Sequence, residues 1–143
     1  MSRQISTLYC DDIRHELGKK ASYIGCYSGT LYVPQFPTTL SKLCIFLKAT
    51  TPSTDPFGKL KVRIALNDRV IGEQDVETDN EEDSEPDGKK RLQVVRIHFV
   101  FSPFRIKQEG IIRLTLTDER GEEYRDANLR IEVAEPGKFS ELM

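Results

Sequence analysis

Apolar residues recur at every second position in four separate stretches of this chain, and that period limits the fold more than any other feature. Leu60, Val62, Ile64 and Leu66 alternate with Lys61, Arg63, Ala65 and Asn67. Val95, Ile97, Phe99 and Phe101 alternate with Arg96, His98 and Val100, and Ile112, Leu114 and Leu116 with Arg113, Thr115 and Thr117. Leu129, Ile131 and Val133 alternate with Arg130 and Glu132. Successive side chains of a strand point to opposite faces, so this period predicts strands with one buried face and one wet face. Leu43-Cys44-Ile45-Phe46-Leu47 is apolar on both faces, which suits a central strand covered on both sides, or one whose outer face meets something else. The segment from Tyr23 to Val33 is also strand-like, with Ser28-Gly29 placed to break or bulge it.

Turn signals punctuate these stretches at Gly18, Pro34–Pro37, Thr51–Gly58, Asn67–Asp68, Asn80–Gly88, Ser102–Pro103, Asp118–Gly121 and Pro136–Gly137. The spacing predicts about seven or eight short strands, the pattern of a β-sandwich. No helix-length amphipathic stretch occurs. Asp11–Lys19 reads either as a helix of at most two turns, with Asp12 as cap and Ile13 and Leu17 four apart, or as the end of one strand and a hairpin into the next. The segments EGIIRLTLTD, ERGEE and ANLRIEVAEP, strand, turn and strand, resemble the last hairpin of many immunoglobulin-like or fibronectin-like sandwiches. The chain contains no Trp, and its cysteines stand too close together for the inter-sheet pair of antibody domains. The expected fold is therefore all-β: a single-domain, two-sheet, immunoglobulin-like sandwich over residues 1–143. A chain of 143 residues buries enough surface to fold without disulfide or metal.

The net charge is −2, unlike the strongly basic balance of most nucleic-acid-binding domains. Eight acidic residues fall between Asp75 and Asp87 with no Lys or Arg among them. The remainder carries twenty-one cations against fifteen anions, or +6. A mobile acidic loop at about 77–90 on a mildly basic body is expected, because like charges with few apolar residues do not pack. The three cysteines, Cys10, Cys26 and Cys44, are odd in number, so they cannot form a closed disulfide framework. Each lies in an apolar stretch, which predicts buried free thiols suited to a reducing compartment. The opening MSRQISTLYCDD has no apolar core of a signal peptide, and no apolar run approaches the ~20 residues of a membrane helix. Cytoplasmic location, with no membrane partner, is the expectation.

The densest polar cluster is Asp11-Asp12-Ile13-Arg14-His15-Glu16, with Lys20 beyond it. Asp, His and Glu together could hold a divalent cation or perform acid–base chemistry. The competing reading is a charged hairpin, with the carboxylates satisfying backbone N–H groups and Arg14 paired to Glu16 or Lys20. The only other histidine is His98, which the alternation places on a wet strand face, and nothing in the sequence brings it near His15. Asp83-Ser84-Glu85-Pro86-Asp87-Gly88 mimics the first half of a calcium loop, but Val94 stands where the bidentate Glu belongs. No G-x-S-x-G, C-x-x-C, H-E-x-x-H, P-loop or G-x-G-x-x-G occurs, so no catalytic residue, metal or cofactor is assigned. A candidate basic face remains, Lys61, Arg63, Arg96, Arg113 and Arg130, with too few interleaved aromatics to stack a single strand of nucleic acid.

The opening third resembles a known family. Cys10, Asp11, Asp12, Ile13, Arg14, Glu16, Gly18, Lys20, Ser22, Ile24, Gly25 and Tyr27 fit the pattern CDD-h-R-x-E-x-G-x-K-x-S-x-h-G-x-Y, where h is hydrophobic. The likeness continues through Val33-Pro34, Phe36-Pro37, Leu40, Leu43-Cys44, Thr51-Pro52 and Asp55-Pro56-Phe57. It is similar to a family of short bacterial and phage- or prophage-encoded proteins classed as a domain of unknown function. The resemblance implies an intracellular bacterial or phage setting and no assigned chemistry. The leading functional expectation is a non-catalytic binding module whose partner is another protein or a second copy. The competitors are a small metal-dependent hydrolase built on Asp11–Glu16 and a weak anion or nucleic-acid binder using the basic face.

Overall fold

The computed structural model describes residues 2–78, 82–84 and 91–134. Among them the chain is all-β, with no helix. In chain order the strands are β1 (Gln4–Glu16), β2 (Lys20–Cys26), β3 (Thr30–Val33), β4 (Thr38–Leu40), β5 (Leu43–Pro52), β6 (Lys59–Leu66) and β7 (Arg69–Glu77). They continue with β8 (Glu82–Ser84), β9 (Arg91–Phe101), β10 (Phe104–Ile106), β11 (Gly110–Thr117), β12 (Glu123–Arg125) and β13 (Leu129–Val133). The number exceeds the seven or eight expected because the Tyr23–Val33 stretch divides between two strands and because short bridges of three residues, β4, β8, β10 and β12, add to the longer ones. The Tyr23–Val33 stretch is indeed broken, by Gly29 at φ 111°, into the end of β2 and all of β3.

The residues group into two compact units, and four of the five boundaries fall within β1, β5, β9 and β11. The first comprises Met1–Thr7, Leu47–Ile97 and Arg113–Ala127. Its framework is the long β6–β7 hairpin, in register from Lys59↔Glu77 to Leu66↔Arg69, with a shift at Ile64/Ala65. Asn67, at φ 54°, makes the two-residue connection, a conformation that Asn tolerates better than most residues. β12 adds to the second half of β11 by pairing Thr115↔Arg125 through Thr117↔Glu123. Leu60, Val62, Ile64, Leu114 and Leu116 are buried, while Lys61, Arg63 and Arg113 between them are exposed. That is the alternation read from the sequence, realised side chain by side chain.

The acidic stretch is only partly within the described residues. Asp75 and Glu77 stand on β7, and Glu82–Ser84 form β8 against β9, with Glu82↔Gln93 and Ser84↔Arg91 as end pairs. The rest of the expected mobile loop lies outside the described residues.

The second unit comprises Leu8–Phe46, His98–Ile112 and Asn128–Met143. Here β1 and β2 form a hairpin in register from Cys10↔Cys26 to Glu16↔Lys20. This decides between the two readings of Asp11–Lys19 in favour of the hairpin. Gly18 (φ 84°) and Lys19 (φ 60°) both take left-handed conformations in the turn, which a helix forbids and glycine permits at no cost. Leu17, which the helix reading set on one face with Ile13, is 93% exposed at the tip. β13 pairs antiparallel with the start of β11 and parallel with β3, in register from Arg130↔Thr30 to Val133↔Val33. β4 and β10 make a separate two-stranded ladder. The core of this unit holds Leu31, Val33, Leu43, Ile45, Ile106, Ile112, Leu129 and Ile131, with the thiols of Cys10 and Cys44. Cys26 was expected to be buried and is exposed, because β2 ends its sheet and the last three residues of the strand are in solvent.

Candidate functional site

The β1–β2 hairpin carries every residue of the polar cluster. Asp11 faces Gly25, which sits at φ 68° and whose missing Cβ leaves room for the Asp11 carboxylate: a Cβ there would lie 2.3 Å from Asp11 Oδ2. The Tyr27 hydroxyl donates to Asp11 Oδ1 in a short hydrogen bond. Burial, and then this bond, push the Tyr27 hydroxyl well above its ordinary pKa. Asp12 Oδ1 accepts from the Ile13 amide at 2.9 Å and from Lys42 Nζ at 3.0 Å. The Lys42 ammonium holds the Asp12 carboxyl below its ordinary value, and Asp12 in turn raises Lys42. Glu16 accepts from Ser22 Oγ at 3.3 Å. Arg14 is exposed opposite Ser22, and Lys20 is exposed opposite Glu16. Thus Asp11, Asp12 and Glu16 each have a partner of their own. The partners Tyr27 and Lys42 lie 16 and 30 residues away in sequence, which local reading could not supply.

The structure does bring His98 to this hairpin. The rings of His15 and His98 lie 5.4 Å apart, centroid to centroid. The Tyr23 hydroxyl is 2.9 Å from His98 Nε2, and Phe46 packs on both Tyr23 (4.8 Å) and His98 (5.1 Å). His98 is therefore half-buried, not on the open wet face that its alternation predicts. The neighbouring ring of Phe46, on a strand apolar on both faces, is what covers it. Burial, then the nearby His15, lower the pKa of His98 below its ordinary value. Among the described residues no three His, Cys, Asp or Glu side chains are grouped to hold a metal ion.

Lys61 and Arg63 both reach Glu73 on the neighbouring strand, at 3.2 and 3.3 Å, and together they lower its pKa. Arg96 is exposed on β9, Arg113 on β11, and Arg130 belongs to the second unit.

A second polar network, in the first unit, was not foreseen. Arg3 is buried and donates to Asp118 Oδ2 at 2.8 Å, to both carboxylate oxygens of Glu119, and to the Pro56 carbonyl at 3.0 Å. Its guanidinium carbon lies 4.7 Å from the centre of the Phe57 ring. Burial pushes the Asp118 carboxyl up, but the Glu122 and Arg120 amides, the Tyr124 hydroxyl and Arg3 outweigh it, and its pKa lies below the ordinary value. Gln93, also buried, accepts from the Phe57 amide at 2.6 Å. The networked Asp118 lies in the turn signal Asp118–Gly121, but a buried Arg at position 3 leaves no periodic trace in sequence.

An all-β protein whose polar hairpin is tied down by its own side chains defines a structural class and no particular chemistry. The chain belongs to a family of unknown function (DUF6941), whose pattern it matches over residues 4–132. No curated protein matches it. Among the described residues no helix is long and apolar enough to cross a membrane.

Proposed function

We propose that the protein is a non-catalytic interaction module of a bacterial or phage cytoplasm, built on an immunoglobulin-like sandwich, with the β1–β2 hairpin as its docking edge. The observation that carries this reading is the exposure of that edge. β2 is the outermost strand of its sheet, with Ile24 41% exposed on it and Leu17 bare at the tip. The Tyr27 amide donates to the Tyr9 carbonyl at 2.8 Å, so pairs alternate from there and Asp12↔Ile24 is a non-hydrogen-bonded pair. The Ile24 N–H and C=O then point away from β1, toward an added strand. The in-fold partners of Asp11, Asp12 and Glu16 support a structural role for those carboxylates. The occupant tested first is β2 of a second copy. Sedimentation equilibrium should show a concentration-dependent dimer, abolished in Ile24→Pro, which removes only an outward donor, and weakened in Leu17→Lys, with melting temperatures unchanged. A wild-type monomer at all concentrations would discard self-association.

One observation favours a second reading, metal-dependent chemistry at the same hairpin: the His98 imidazole stands beside His15 with a tyrosine hydroxyl at hand. Zinc titration by calorimetry tests it, with saturable binding lost in His15→Ala and His98→Ala as the supporting result. For an anion-binding basic face, a steep loss of binding with salt would be the signature.

A further inference from the structure

We infer that Cys26 is a thiol-oxidation site, that Cys10 is its resolving partner, and that low-molecular-weight disulfides such as oxidised glutathione are the reagents it takes. Cys10 and Cys26 stand directly opposite each other in the β1–β2 register. The hydrogen bond from the Tyr27 amide to the Tyr9 carbonyl closes the adjacent pair, which makes Cys10↔Cys26 a non-hydrogen-bonded pair. Opposed Cα atoms at such positions are about 4.5 Å apart, inside the ~4.4–6.8 Å range that disulfides span.

The thiols lean the same way. Cys10 Sγ lies 3.4 Å from the Asp12 carbonyl oxygen, and Cys26 Sγ lies 3.8 Å from that of Tyr23. Asp12 and Tyr23 are both nearer the hairpin tip than the cysteines, and they belong to adjacent rungs, Asp12↔Ile24 and Ile13↔Tyr23. Access is unequal: Cys26 is exposed on an edge strand, whereas Cys10 is buried. A third thiol competes. Cys44 is buried on β5, with its Sγ 3.8 Å from the Asp11 carbonyl oxygen. It stands on the strand next to β1 but has no exposed surface for a first attack.

The steps balance as follows. The Cys26 thiolate, its proton lost to water, attacks one sulfur of the small disulfide. A mixed disulfide forms on Cys26 and one small thiolate leaves. Cys10 loses its proton and attacks Cys26 Sγ, forming the Cys10–Cys26 bond and expelling the second small thiolate. Two protein thiols are oxidised by two electrons and one external disulfide is reduced to two thiols. Burial pushes the Cys10 thiol up to about 11, which makes the second step the slower one at neutral pH.

Trypsin separates the three thiols, onto residues 4–14, 21–42 and 43–48. The reduced full-length protein is incubated with oxidised glutathione, alkylated, and digested without reductant. The expected product is a cross-linked 4–14/21–42 peptide, two hydrogens lighter than the free pair. It should persist in Cys44→Ser and vanish in Cys26→Ser, a substitution at an exposed site. In Cys10→Ala the reaction should stop at a glutathione adduct on Cys26. A cross-link to the 43–48 peptide, a wild-type protein that stops at the mixed disulfide, or a Cys26 that stays fully alkylated would each overturn the inference.

Discussion

Replacing Arg3 by Met should be the most damaging single change outside the apolar core. The Asp118 side chain is fully buried and only 2.8 Å from Arg3 Nη1. At an effective dielectric constant of about 20, unit charges roughly 3–4 Å apart attract by about 4–5 kcal/mol. Removing one member of a buried pair leaves the other charge uncompensated, at a cost of about 3–5 kcal/mol. Glu119 and Asp55 add little to this figure, because their side chains are 29% and 41% exposed and water screens them. Met keeps an apolar stem against Phe57, so lost packing contributes little. Urea denaturation should then show a loss of about 3–5 kcal/mol, which is a fall of roughly 10–17 °C in melting temperature for a domain of this size. The companion change, Asp118→Asn, keeps a side-chain oxygen for the Arg120 and Glu122 amides, which it now serves at 2.9 and 3.0 Å. Because the double variant strands no fully buried charge, it should be more stable than the sum of the single losses predicts, by about 2 kcal/mol or more. A coupling below about 0.5 kcal/mol, or an Arg3→Met loss below about 1 kcal/mol, would refute the claim that the buried pair organises this unit.

Gly25→Ala should cost about 1–3 kcal/mol by urea denaturation, since φ is 68° and the added methyl would collide with the Asp11 carboxylate. The depressed carboxyls of Asp118 and Glu119 contribute stability that is present above their ordinary values of 3.8 and 4.5 and is lost as pH falls through their lower folded values. Asp118→Asn should therefore flatten the acid limb of the stability curve, and an unchanged limb would show that other groups control it. In native protein a thiol reagent should label Cys26 quickly and Cys10 and Cys44 only on unfolding, read by peptide mapping. Lys42→Ala should leave the melting temperature almost unchanged, because both partners of the Asp12 pair remain partly in water.

Much of the strand pattern was legible because burial in a sheet repeats with period two. Leu60, Val62, Ile64, Ile112, Leu114, Leu116, Leu129 and Ile131 are all buried as read. Val133, in the same series, is 43% exposed, because periodicity does not register where a strand runs out of cover. The candidate site was half legible. The Asp11–Glu16 cluster lies together because its members are neighbours in sequence. Its partners do not: Tyr27 follows the end of β2, Lys42 precedes β5 and His98 stands on β9, and no local rule connects them to it.

Composition and periodicity by themselves determined that the chain is all-β, where its turns fall, and that it carries no familiar catalytic motif. Those properties depend on residues close together in the chain. The tertiary structure alone decided that Asp11–Lys19 is a hairpin and not a helix, because only the pairing of Glu16 with Lys20 and the left-handed Gly18 and Lys19 make that choice. It alone joined β3 to β13 in parallel, about a hundred residues apart, and set Arg3 against Asp118 at a separation of 115. It also turned one cysteine of three outward and aligned it with a buried one across the strand pair. A side chain's exposure and its partners are set by which strands become neighbours. That is a property of sheet order, which a period of two leaves undetermined.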